Sequence, residues 1–218
     1  MPINIKRNTW YGSNYWEVYS NKIKRRVRLF SNLEYENWIL LETNPKVKTF
    51  CEQPLRIQGW FEGKIFESIF DMWVCYYDDY EEFLEVKYSH ELDISSAKSE
   101  RSIRQTTIQG QWCKKNNKNY RVITEKEIRN NRTYLNNLKQ ILYFTKSQEK
   151  SIKNCDKDKI LKNIPNTKIK IIDILNKVTE IEKENALRII YTLILENRIF
   201  SDIADKVLTY ETGVWKNE

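Results

Sequence analysis

The sequence predicts an α/β fold, a mixed sheet flanked by helices, followed by a small and mainly helical C-terminal domain. Three observations carry this reading. A capped apolar stripe at residues 31–43 has helical spacing, and residues 47–87 break into β-rich runs punctuated by turn residues. After a polar stretch at 145–158 the chain turns into two strongly apolar helices. The 218 residues suit one moderate domain or two small ones, and 40% hydrophobic residues are enough for a packed core, which excludes a disordered chain.

Residues 1–30 are basic and aromatic, with Trp10, Tyr11, Tyr15 and Trp16 among polar neighbours; an arm and a pair of edge strands both fit. Ser31 reads as an N-cap, and Glu34 three residues later completes a capping box. The helix it opens, with Leu33, Trp38 and Leu41 on one face, stops at Asn44-Pro45, where proline ends helical geometry. VKTFCEQPLRI and KIFESIFDMWVCYY then alternate β-branched and aromatic residues, with Gly59 and Gly63 as turns. The polar YDDYEE reverses the chain into FLEVKY, so the two runs form an antiparallel hairpin, with Asp78 and Asp79 as turn residues. Residues 96–116 are polar and helix-compatible, NYRVIT is a further strand, and a helix follows from about Glu125 through Leu142. Beyond the linker, IKIIDILNKV and ENALRIIYTLILENR are helices, and IFSDI and VLTYET are two short strands around ADK. Helix, helix and hairpin in that order suggest a winged helix. The domains are therefore residues 1–147 and residues 148–218.

Net charge is +7, which points to a polyanionic partner, most often nucleic acid. Lys22, Lys24, Arg25, Arg26 and Arg28 crowd together and are the candidate DNA-contacting cations; a solvated basic face is the plain alternative. The four cysteines form no C-x-x-C pair and His90 is the single histidine, so a zinc cluster is not expected and the thiols read as reduced. No apolar run approaches the roughly 20 residues that span a bilayer, and MPINIKRNTW lacks the apolar core of a signal peptide. The expected setting is cytoplasmic, with no membrane partner.

The chemistry-bearing pattern is Asp71, then Glu85-x-Lys87. Alternation along a strand puts Glu85 and Lys87 on one face, and a hairpin brings Asp71 across to them. Two carboxylates so close repel, and their pKa values rise unless a cation joins them. Hard oxygen donors without histidine or cysteine suit Mg²⁺, and a lysine beside such a site can hold a water or neutralise charge on a phosphate. An exposed, salt-bridged strand is the competing reading of the same three residues. Glu34 or Glu36 supplies a further acid on the preceding helix. The two differ by about 200° around a helix, so one faces the site and the other faces water. Acid on a helix, Asp, and E-x-K on a hairpin is the order of the restriction-endonuclease-like PD-(D/E)xK nucleases.

The ordered motifs S-N-L-E, LLETNPKVKTFCEQP, FDMWV, LEVK and YRVITEKEIR resemble the TnsA family, endonuclease subunits of heteromeric transposases. The resemblance implies a restriction-endonuclease-like catalytic domain with a C-terminal winged helix. It implies that Glu34, Asp71 and Glu85 bind Mg²⁺, with Mn²⁺ able to substitute, and that Lys87 is the catalytic lysine. Gln53, in the E-Q-P motif, is expected beside the site. The implied activity is hydrolysis of the non-transferred strand at the 5′ ends of a transposon. The implied partners are double-stranded DNA at the transposon ends, a TnsB-like transposase, and an AAA+ TnsC-like regulator reached through the C-terminal domain. The implied setting is a bacterial cytoplasm, at the nucleoid during transposition. A self-sufficient restriction or repair nuclease, or a winged-helix adaptor with a vestigial site, are the alternatives the residues leave open.

Overall fold

A computed structural model describes residues 1–3, 14–146 and 153–217. Trp10 and Tyr11 of the aromatic N-terminal stretch, and residues 147–152 of the expected linker, lie outside the described residues. The chain divides into two compact units, Met1–Asn130 and Asn131–Glu218.

In the first unit the basic N-terminal segment forms edge strands. β1 (Trp16–Ser20) and β2 (Arg25–Leu29) pair as an antiparallel hairpin, turned at Lys24 with a φ of 54°. α1 (Asn32–Thr43) follows, with Ser31 Oγ accepting from Glu34 N at 3.0 Å as the predicted N-cap. The Glu34 carboxylate reaches back one residue further than a standard capping box, to Phe30 N at 3.0 Å. The helix ends at Asn44 before Pro45, as expected.

β3 (Val47–Glu52) leads to the hairpin of β4 (Arg56–Phe61) and β5 (Lys64–Ile69). The run KIFESIFDMWVCYY is not one strand. It breaks at Phe70-Asp71, and β6 (Met72–Tyr76) joins a different sheet. β7 (Glu81–Lys87) pairs antiparallel with β6 as the predicted hairpin. α2 (Glu100–Lys115) then crosses over to β8 (Asn119–Thr124), which runs parallel to β7. A parallel pair requires such a crossover, and the helix sits on the sheet face it traverses. The four-stranded mixed sheet has the order β3-β6-β7-β8.

β7 is buried from Glu82 through Val86, which is why its sequence lacks clean alternation. Val86 packs with Leu33 of α1, Ile123, and Ile128 of the short α3 (Glu125–Ile128). Phe83 packs with Ile108 and Cys113 of α2, beside Ile57 and Phe70. Helices thus cover both faces of the sheet, and the face alternation of β7 aims Glu85 at α2.

The helix expected from Glu125 through Leu142 is two helices. Asn131 Oδ1 accepts from Tyr134 N at 2.9 Å, an N-cap that starts α4 (Arg132–Lys146) anew. The division between the units falls here, where the sequence reading put it at 147/148. The second unit continues with α5 (Asn154–Lys162), β9 (Ile169–Lys170), α6 (Ile171–Lys177), α7 (Lys183–Leu195), β10 (Ile199–Ser201) and β11 (Gly213–Lys216). Asn154–Asp158, read as linker, is the start of α5, anchored by the buried Ile160. The strand expected at VLTYET is displaced to β11. Leu208 N is taken by Asn137 Oδ1 at 2.9 Å and Thr209 N by Thr212 Oγ1, so 207–212 turns instead of pairing. The strands form an antiparallel sheet in the order β10-β11-β9. No helix among the described residues is long and apolar enough to cross a membrane.

Candidate active site

Asp71 sits in the one-residue step between Phe70 and β6, where the β6–β7 register, Met72 opposite Leu84, carries it to the level of Glu85. Its Oδ2 accepts from Val86 N at 2.7 Å, and its carbonyl accepts from Gln53 N at 3.0 Å. Gln53 is buried and holds a left-handed φ of 37°, a conformation uncommon for a residue with a Cβ. The E-Q-P motif therefore has a structural content: Gln53 fixes the backbone of Asp71 from the end of β3.

Glu85 is fully buried. Its Oε1 accepts from Lys87 Nζ at 2.6 Å, and its Oε2 from Gln109 Nε2 at 2.8 Å. An exposed salt-bridged strand is thereby excluded, because the pair is enclosed: the Lys87 side chain is 15% exposed and that of Glu85 0%. Burial pushes the Glu85 carboxyl up to about 8, with the charge of Asp71 adding to it against the pull of Lys87 and Gln109. Burial likewise lifts Glu34 to about 7, again with Asp71 adding. Asp71 is itself raised by burial, opposed by Lys87 and the Val86 N–H. For Lys87 burial acts downward, but the carboxylates of Asp71 and Glu85 outweigh it and hold the ammonium above its ordinary value.

Asp71 is thus the electrostatic centre, felt by Glu34, Glu85 and Lys87 together. Glu91, on the short turn Ser89–Leu92 after β7, adds a fourth negative charge that acts on both Asp71 and Lys87. The acids are not gathered as a ready-made cage, however. Among the described residues no three carboxylate, imidazole or thiol groups stand close enough together to hold a metal ion. Each carboxylate instead takes an internal donor: Phe30 N for Glu34, Val86 N for Asp71, Lys87 and Gln109 for Glu85. The donor chemistry, hard oxygens alone, suits Mg²⁺ or Mn²⁺, and a cation would offset the burial, and the repulsion added to it, that lift these carboxyls.

Two expectations for the neighbouring charges change. Glu36 does not face water: it is buried and accepts from Arg129 Nε at 2.7 Å. The five candidate DNA-contacting cations also separate into two kinds. Lys22 Nζ donates to the carbonyls of Asn44 and Val47 at 2.9 and 2.7 Å, closing the end of α1. Arg25 forms a two-pronged pair with the buried Glu52, both contacts at 2.6 Å. These two side chains are committed inside the fold. Lys24, Arg26 and Arg28 are exposed, the arginines sharing Glu17. His90 is exposed and stacks on Tyr88.

The residue that sequence reasoning missed is Gln109. It is fully buried on α2, and its amide nitrogen donates to Glu85, to Ser68 Oγ at 2.9 Å and to Ile69 O at 3.2 Å. Its Oε1 accepts from Tyr120 OH at 2.7 Å. The available signal was the apolar stripe around it, Ile108 beside it and Trp112–Cys113 one turn on, in a mainly polar helix.

Residues 44–125 match the family model described as TnsA-like endonuclease N terminal. The match runs from just after α1 to the end of β8 and takes in Gln53, Asp71, Glu85, Lys87 and Gln109, while Glu34 lies upstream of it. A search of curated proteins gives no match. Over residues 44–125, then, the chain is similar to the N-terminal domain of TnsA-like endonucleases, the resemblance that its ordered motifs had suggested.

Proposed function

We propose that this protein is a Mg²⁺-dependent DNA endonuclease subunit of a cut-and-paste transposase. It would hydrolyse the non-transferred strand at the 5′ ends of the transposon beside a TnsB-like transposase that cuts and joins the other strand. The observation that carries this reading is the enclosed Asp71–Glu85–Lys87 cluster, built inside a domain that matches TnsA-like endonucleases.

In this reading Asp71, Glu34 and Glu85 would hold the cation through their carboxylate oxygens. The bound ion would polarise the scissile phosphate and acidify a water. Lys87 keeps its proton, because its carboxylate neighbours hold it above its ordinary value. It therefore acts as a fixed positive charge and hydrogen-bond donor at the phosphate, where negative charge grows in the transition state. Gln109 fixes the orientation of Glu85 from behind. Val86 N of β7 and Gln53 N, just past β3, fix Asp71 from two sides, so the acid cannot swing away from the reacting phosphate.

The second unit is read as a winged helix that engages an AAA+ TnsC-like regulator. Its longest apolar helix, α7, is a poor major-groove reader, because Ala186 through Tyr191 are buried, Arg188 included. A protein partner accounts better for this unit than DNA does. DNA contacts fall instead to Lys24, Arg26 and Arg28 and to the face around the active site. The test is a plasmid carrying the element's ends, incubated with Mg²⁺ and this protein alone or together with the neighbouring transposase. A nick at the transposon 5′ end only in the joint reaction is expected. Efficient cleavage by the protein alone would instead make it a self-sufficient nuclease.

A further inference from the structure

Next to the active site, on the other side of Gln109, lies a cavity of about 350 Å³ between α2 and the β4–β5 hairpin. Its size falls within the range of small-ligand sites. Arg56 of β4 and Arg101 and Arg104 of α2 line it, against the one carboxylate of Glu67 in its wall. Arg56 and Glu67 pair at 2.8 Å, which leaves the α2 arginines as the excess charge. Arg101 and Arg104 are three apart, so they share one face of the helix. Arg101 is exposed and makes no ion pair among the described residues. Arg104 lies 4.3 Å over the Phe66 ring, which holds its guanidinium in place, and only a loose 3.6 Å contact reaches Glu100.

The floor connects directly to the catalytic carboxylate. Ser68, Ile69 and Ile108 line the cavity, and Gln109 Nε2 donates both to Ser68 Oγ and Ile69 O and to Glu85. Apolar walls around guanidinium groups strengthen their field, and guanidinium is matched to phosphate oxygens in pairs. From Arg101 to Gln109 the helix rises about 12 Å, a span that a few nucleotides of a DNA strand cover.

We propose that this cavity is a phosphate subsite for the DNA strand being cut, gripping a backbone phosphate a few nucleotides from the scissile one through Arg101 and Arg104. The proposal rests on the endonuclease reading for its choice of ligand. The subsite sets the strand's register: a phosphate held at the start of α2 places the one farther along at Asp71 and Lys87, at the level of the helix's Gln109.

The full chain and its Arg101→Ala and Arg101→Glu variants are compared for binding to a short labelled DNA duplex, by anisotropy over a salt series with EDTA present. Arg101 is exposed, so neither variant disturbs the core, and thermal melting checks this. For Arg101→Ala the slope of log affinity against log salt is expected to shrink by about 0.9, the loss of one phosphate contact. Affinity should fall severalfold, and further for Arg101→Glu. Unchanged slope and affinity in both variants overturn the proposal, as does failure of the wild-type chain to bind duplex. A melting shift with inorganic phosphate that Arg101→Glu removes, without any change in duplex binding, assigns the cavity to a free phosphate and overturns it too. Binding is read without a metal, so absence of cleavage would sink the endonuclease reading while leaving this result standing.

Discussion

Glu85 shows what a single buried carboxylate does to the whole site. It lies inside the sheet, is held by one cation and one amide, and carries a pKa lifted from 4.5 to about 8, while Glu34 is lifted to about 7. Groups whose folded-state pKa is raised favour the folded state below the unfolded value, and that contribution is lost as pH rises through the folded value. Without divalent cation the protein should therefore lose stability between about pH 4.5 and 8, and Glu85→Gln should flatten that fall. Melting temperatures across this range, with and without Mg²⁺, check the sign: the variant gains on wild type toward pH 8, and the cation restores the wild type. Gln109 acts one contact further out. Gln109→Ala strips Glu85 of a donor and leaves the Tyr120 hydroxyl without its acceptor. DNA cleavage is expected to fall roughly 10–100-fold with folding retained, the usual scale for residues that orient a ligand.

Elements explain why the five cations of the basic run take different partners. Lys22, Lys24, Arg25, Arg26 and Arg28 look alike in sequence, but the β1–β2 hairpin turns Lys22 toward the end of α1 and Arg25 toward Glu52 at the end of β3. Partner choice is tertiary, so nothing local distinguishes Arg25 from Arg28. The same holds for Glu36, whose partner Arg129 is far along the chain. Arg25→Ala leaves Glu52 buried without its cation and should cost about 3 kcal/mol in denaturant unfolding. Arg28→Ala, on the exposed strand, should cost within about 0.5 kcal/mol, because pairs in water contribute little. Equal costs would show that the Arg25–Glu52 pair is not a structural clamp.

For the whole molecule, the parts legible in sequence were those with local causes. Ser31 caps its helix, Pro45 ends it, and the polar YDDYEE reverses β6 into β7, which alone brings Asp71 to the level of Glu85 and Lys87. What the sequence hid depends on contacts across long separations. Phe70-Asp71 looks like the middle of a strand, but Gln53 N holds Asp71 at a break between two sheets. Asn131 starts a helix inside what reads as one continuous helical stretch, and the units part at that point. Gln109 sits on a mainly polar helix, and only the parallel crossover from β7 to β8 reveals that it faces the buried Glu85.

The central claim is that the Asp71–Glu85–Lys87 cluster cuts DNA. The most direct measurement is strand-mapped cleavage of end-labelled transposon-end DNA, with Mg²⁺ and the neighbouring transposase present. It compares wild type with Asp71→Ala and Lys87→Ala. The expected result is a nick at the 5′ end with wild type alone, while the transposase's own cut persists in all three reactions. The same 5′ nick in either variant would contradict the assignment and leave the buried acid–lysine cluster as a structural feature of the sheet.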